Sequence, residues 1–176
     1  MNKNKLGFVI SAALLTTSML AGCGGSGSGG GDEDAEVTRA HDSREFAPAA
    51  DVSFEASAGA SAYYGTYEGI QGPAVYAAEI PDGWNGYGLI MYTHGYRGTG
   101  ETLDVSVPDA AWRATVLAAG YAWAASSYSA NYYDVRAAIE DTNKLALEVM
   151  DYIETDFGNA YDDPQQILIS GYSLGG

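Results

Sequence analysis

Gln166-Ile-Leu-Ile-Ser-Gly-Tyr-Ser-Leu-Gly-Gly176 joins a strand signal to a turn signal within one short stretch. Ile167, Leu168 and Ile169 form an apolar run with two β-branched members, which predicts a buried central strand. The run enters Gly171-Tyr-Ser-Leu-Gly175, a G-x-S-x-G. In such a turn a strand reverses into a helix, and the central serine is held strained with its hydroxyl exposed. Gly171 and Gly175 carry no Cβ, so the two backbones can close around Ser173. The Leu174 N–H falls at a helix start, where it has no intrahelical partner and can serve a developing negative charge. Ser173 is therefore a candidate nucleophile and Leu174 a candidate oxyanion donor. In a chain with 23 glycines the motif alone is weak, and its weight comes from what surrounds it.

Upstream, Gly88 to Thr93 is a strand signal apolar on both faces, as expected of an inner strand covered by helices. It runs into His94-Gly95-Tyr96-Arg97-Gly98, a glycine-rich turn at a strand's carboxyl end, where ligands gather in open α/β sheets. Residues 62–67 and 74–80 read as two earlier strands, with turn signals at Gly69, Gly72 and Pro73. A helix is predicted over 108–119, started by Pro108 or Asp109 and stopped by Gly120. A strand follows over 121–126. Asp134 then caps a long helix over 135–157 that ends at Gly158. Its predicted apolar stripe runs through Val135, Ala138, Ile139, Thr142, Leu145, Ala146, Val149, Ile153 and Phe157, with Glu140, Asp141, Lys144, Glu148 and Asp151 mostly off it. Ser126, Ser127 and Ser129 read as polar loop residues, since nothing in sequence activates them. This alternation predicts an α/β fold, a mostly parallel sheet with flanking helices and right-handed crossovers.

The elbow motif, the His94-Gly95 turn, Ile80-Pro-Asp-Gly-Trp-Asn-Gly86 and Gly120-Tyr-Ala-Trp-Ala-Ala-Ser-Ser-Tyr128 together resemble the α/β-hydrolase superfamily, in particular secreted or lipid-anchored bacterial serine hydrolases. The resemblance covers roughly residues 60–176. It implies that Ser173 is the nucleophile and that the oxyanion is met by the backbone N–H groups of Leu174 and Tyr96. It also implies that His94, with Gly95, supports the oxyanion loop and is not the catalytic base. In that family the acid and the histidine follow the serine in chain order. The expectation is thus the amino-terminal part of such a fold, truncated just after the nucleophile elbow, with the elbow strand an open apolar edge. Such a fragment should be inactive or nearly so, because a serine hydroxyl without a base is a weak nucleophile. The implied substrate is a small-molecule ester, with a peptide as second choice. The rival from another class is a non-catalytic lipid-anchored binding or adhesion protein that keeps the scaffold.

Residues 1–22 read as a lipoprotein signal peptide: Lys3 and Lys5 precede an apolar run over 6–20, short of the roughly 20 residues needed to span a bilayer. Leu20-Ala21-Gly22-Cys23 resembles the bacterial lipobox, which implies cleavage before Cys23 and lipid on its sulfur. Residues 23–50, glycine- and serine-rich and then acidic, read as a tether, and 51–176 as the incomplete hydrolase domain. His41, in polar company within the tether, is a poor base candidate. The location that follows is the bacterial cell envelope, membrane-attached through Cys23 and facing outside the cytoplasm.

Composition sets the remaining bounds. At 47% hydrophobic residues, with 14 tyrosines and three tryptophans, the chain can bury a core. A net charge of −15 with eight lysines and arginines makes nucleic acid a poor partner. Cys23 is the only cysteine and His41 and His94 the only histidines, so no disulfide framework or zinc site is expected, nor any cofactor.

Overall fold

The computed structural model describes residues 43–50 and 53–176. The signal segment, Cys23 and His41 lie outside the described residues. In chain order come β1 (Ala47–Pro48), β2 (Ala60–Gly69), β3 (Gly72–Pro81), β4 (Leu89–Thr93), β5 (Thr102–Leu103), α1 (Ala110–Ala118), β6 (Ala122–Ser126), α2 (Val135–Phe157) and β7 (Ile167–Gly171), then a 3-10 turn over Ser173–Gly175. The main sheet has the order β2-β3-β6-β4-β7. β4, β6 and β7 run parallel, β3 is antiparallel to β6, and β2 is antiparallel to β3. The fold is α/β, with four of five strands in one direction and β3 reversed because β2 and β3 form a hairpin. β1 falls in the stretch read as tether, yet pairs in parallel with β5, while Phe46 packs against Tyr128, Ala130 and Ala137.

The sheet is covered on both faces. β3 alternates Ala74, Tyr76, Ala78 and Ile80 toward the α2 side with Val75 and Ala77 toward the α1 side. β6 does the same with Ala122 and Ala124 against Trp123 and Ala125. On the α1 side the fully buried Glu79 accepts from Trp123 Nε1 at 2.8 Å and from Arg113 Nη1 at 3.2 Å. Arg113 also donates to the Glu55 carbonyl and lies over the Phe54 ring, so one buried charge pair ties α1, β3, β6 and the segment before β2 together.

Local signals set the helix ends. Asp109 caps α1 by accepting from the N–H groups of Ala111 and Trp112, and Asp134 caps α2 by accepting from Ala137. Gly120 and Gly158 take the left-handed conformation (φ +84° and +74°) that ends each helix.

Two expectations are corrected. β7 is not the buried central strand that its apolar run alone predicts; it is the open apolar edge expected of the elbow strand here. It pairs only with β4, and Ile167, Leu168 and Ile169 are 39%, 43% and 69% exposed, because no strand among the described residues pairs with its other side. The α2 stripe is also rotated at its amino end. Val135 and Ile139 are exposed, and Asp141 is fully buried in their place. Asp141 accepts from Ser129 N (2.6 Å), Ser129 Oγ (2.6 Å) and Ile70 N (2.8 Å), and Ser129 Oγ in turn accepts from Gln71 N. One carboxylate thereby joins α2, the β2–β3 turn and the loop after β6. Burial pushes the Asp141 carboxyl above the usual range, and these hydrogen bonds only partly oppose the shift. The folded state therefore binds this proton more tightly than the unfolded chain, and the group's own contribution to stability falls as pH rises above the ordinary carboxylate range. Asp141→Ala leaves three donors, two of them buried, without an acceptor, and we expect a loss of roughly 3–5 kcal/mol by urea unfolding at neutral pH. A loss under about 1 kcal/mol would show that the network is not structural.

Candidate active site

Three parallel strands, β6, β4 and β7, lie side by side, and the site is built from the loops at their carboxyl ends. β7 delivers Ser173 at φ +57°, a left-handed backbone that non-glycine residues rarely adopt. The other positive-φ non-glycine residues among those described, Tyr128 (+59°) and Tyr132 (+69°), both lie in the loop after β6. Strained backbone thus concentrates at one end of the sheet.

Packing around the turn is extremely close. A Cβ built on Gly171 would fall 1.9 Å from the Gly175 carbonyl oxygen, and one on Gly175 would fall 2.4 Å from that of Thr93. Thr93, the last residue of β4, is the clasp. Its carbonyl accepts from Tyr172 N at 3.1 Å, and its Oγ1 donates to the Gly175 carbonyl. β4 continues into the His94-Gly95 turn, which abuts the serine: a Cβ on Gly95 would lie 2.9 Å from Ser173 Cβ and 3.5 Å from its Oγ. Gly95 and Ser173 stand 78 positions apart in sequence, and only their lack of bulk lets the two backbones meet.

His94 lies beneath this turn and is buried. Its Nδ1 is 2.7 Å from the Gly95 carbonyl oxygen and its Nε2 is 3.2 Å from that of Ser127. Tyr128 stacks on the imidazole with ring centroids 4.1 Å apart and donates its hydroxyl to the His94 carbonyl at 3.1 Å. Burial lowers the imidazole pKa, and the two carbonyl contacts only partly offset this. The ring is therefore neutral at physiological pH and donates to one of the two carbonyls. Burial pushes the Tyr128 hydroxyl up to about 12, so it stays protonated as a donor. Both imidazole nitrogens face backbone, and neither faces Ser173. Among the described residues no hydrogen bond reaches Ser173 Oγ, and none of their His, Cys, Asp and Glu side chains form a metal-holding group of three.

A cavity of about 390 Å³ opens on the serine, lined by Tyr92, His94, Gly95, Tyr96, Arg97, Ser106, Val107, Tyr172 and Ser173. Ser173, His94, Gly95 and Tyr96 thus meet at one place. Leu174 is in the same turn, but its side chain lines a separate apolar groove of about 520 Å³ with Met91, Ile139, Leu147 and Ile169. Ser126, Ser127 and Ser129 are buried and spent on structure. Ser126 Oγ pairs with the Tyr67 hydroxyl, and Ser127 Oγ accepts from Val75 N and donates to the Tyr128 carbonyl. Sequence reasoning missed Thr93 and Tyr128 as supports of the turn. Their partners lie 34 or more positions away, so no local pattern marks them.

Several esterases of known structure are similar. Brefeldin A esterase, a bacterial homologue of human hormone-sensitive lipase, is 18% identical, with a TM-score of 0.43 over 71% of this chain and 36% of its own. A cold-adapted esterase from an Arctic intertidal metagenomic library is 12% identical, with a TM-score of 0.41 over 69% of this chain and 54% of its own. An esterase of Pyrobaculum calidifontis is 21% identical, with a TM-score of 0.38 over 65% of this chain and 36% of its own. The chain spans between about a third and a half of the length of these structures. No family model matches the chain. No curated protein matches it.

Proposed function

We propose that this chain carries the nucleophile and oxyanion side of a serine hydrolase acting on carboxylic esters. One observation supports this most: Ser173, held at φ +57° on a strand-end turn, sits directly against the Gly95 backbone of a second glycine turn. A left-handed serine is costly, and a hydroxyl presented beside a second backbone turn is what acyl transfer needs. In this reading Ser173 Oγ attacks the ester carbonyl carbon and gives its proton to a general base. The backbone N–H groups of Leu174 and Tyr96 meet the charge that develops on the carbonyl oxygen. Collapse breaks the ester C–O bond, the alcohol leaves with the proton, and the acyl-serine is then cleaved by water to the free acid. His94 does not serve as the base, since both its nitrogens are turned to carbonyls. In the family that this chain resembles, the base is a histidine that follows the serine in chain order.

The test is covalent. A small fluorophosphonate incubated with the full-length protein should modify Ser173, located by peptide mass mapping. No adduct would favour a non-catalytic scaffold, and an adduct on another serine would move the nucleophile away from Ser173.

We further propose that the protein is anchored in the bacterial envelope by lipid on Cys23. The lipobox-like Leu20-Ala21-Gly22-Cys23 and the glycine-rich segment after it support this. Several acyl chains hold a protein firmly at a membrane where one does not. Cys23→Ser should therefore move the protein from the detergent phase to the aqueous phase. Unchanged membrane fractionation in that variant would overturn the anchor.

A further inference from the structure

We propose that the cavity beside Ser173 binds the planar aromatic ring of an ester of an aromatic carboxylic acid, which names the substrate class of the site above and rests on that reading. The neighbouring strands β6, β4 and β7 each deliver a tyrosine from the loop at their carboxyl end: Tyr133, Tyr96 and Tyr172. These side chains are 70%, 44% and 73% exposed. The only other aromatic side chains comparably exposed among the described residues are Tyr87 and Phe157. Tyr96 and Tyr172 line the cavity that opens on Ser173, and Tyr133 stacks on Tyr96; clustered exposed rings mark a binding surface, whereas isolated ones are ordinary.

Their arrangement favours a flat ligand. Tyr96 stacks on Tyr133 with ring centroids 4.8 Å apart and planes 16° from parallel, so its ring is set before any ligand arrives. Tyr96 then forms one wall of the 390 Å³ cavity, with Tyr92 and Tyr172 as others and Ser173 among them. Tyr92 is held from behind by Trp112 at 5.3 Å. Tyrosine side chains have few rotatable bonds, so they lose little entropy on binding, and they attract a ring through offset or edge contacts. The cavity is at the small end of ligand sites, sized for a single ring beside the ester. The rest of its lining, Val107 apart, disfavours a long alkyl chain, which would lie along Arg97 and Ser106 and gain little. A ring can instead take over its face the Arg97 guanidinium, which donates to Asp104 at 3.4 Å.

Benzamide and cyclohexanecarboxamide, matched in size and not cleaved, separate ring character from bulk. Each is titrated into the full-length protein with the tyrosine ring resonances as readout. We expect benzamide to bind roughly tenfold more tightly and to shift the Tyr96 and Tyr172 ring signals. Tyr96→Leu should bring the two ligands to within about twofold, and Tyr96→Phe should restore the preference. Tyr172→Leu serves in the same way if Tyr96→Leu does not fold. Equal affinities in the unaltered protein, or shifts confined to other residues, would overturn the aromatic subsite while fluorophosphonate labelling of Ser173 still stood. A ring preference without labelling would overturn the nucleophile instead, and with it the bound ring as a substrate.

Discussion

Ser173→Ala in the full-length protein should lower turnover of short activated esters by on the order of 10⁵- to 10⁶-fold. A serine nucleophile works as a unit with its base, so its removal costs about as much as removing the whole constellation. The fold should survive, because no hydrogen bond of the described residues ends on the hydroxyl. Ser173→Gly sharpens the test. The serine is held at φ +57°, which costs a side-chain-bearing residue roughly 1–2 kcal/mol and glycine almost nothing. That variant should be equally inactive and yet about 1 kcal/mol more stable in urea. Gain of stability with loss of activity marks strain kept for function. Retained turnover in Ser173→Ala would remove the nucleophile, and a destabilised Ser173→Gly would remove the strain.

Gly171→Ala and Gly175→Ala should each destabilise the protein by about 3 kcal/mol or more. The methyl group on Gly171 would meet the Gly175 carbonyl oxygen at 1.9 Å, and the one on Gly175 would meet the Thr93 and His94 carbonyl oxygens at 2.4 and 2.6 Å. Those oxygens belong to backbone, which cannot swing aside as a side chain can, so the clash forces the turn away from β4. Hydrolysis should fall with it, since the same contact seats Gly95 against Ser173. Gly100→Ala is the control: nothing lies within 4 Å of the added methyl, and a change within about 0.5 kcal/mol is expected. Thermal or urea unfolding checks all three. If Gly175→Ala stayed within 1 kcal/mol of the unaltered protein, the close packing of the elbow would be wrong.

Much of this architecture was legible in one dimension because its causes act over short distances. Asp109 and Asp134 each cap a helix by reaching N–H groups two or three positions ahead. Gly120 and Gly158 stop those helices through their own φ. The β2–β3 hairpin follows from strand signals on either side of a glycine turn, with Gly69 opposite Gly72. Ser173 was legible for the same reason, its conformation being demanded within a five-residue motif. The reading failed where burial depends on a distant neighbour. Asp141 looks like a solvated charge on its helix, and it is buried because Ser129 and Ile70 bring donors to it. Ile139 fits the apolar stripe and is exposed, because α2 and β7 leave an open groove there.

The sequence by itself determined the order of the two helices and of the five strands of the main sheet, the caps, the strained serine turn and the acidic, glycine-rich character of the segment after Cys23. Each depends on the preference of one residue or on the period of a short run. Only the tertiary structure decided that β4 is the strand beside β7, and that Gly95 touches Ser173. It alone turned both nitrogens of His94 to backbone carbonyls, set Tyr96 and Tyr172 around one cavity, and stacked Tyr133 on Tyr96. These are contacts between residues tens of positions apart. Which of them form depends on strand order and on packing against the sheet, and neither leaves a period or a motif along the chain.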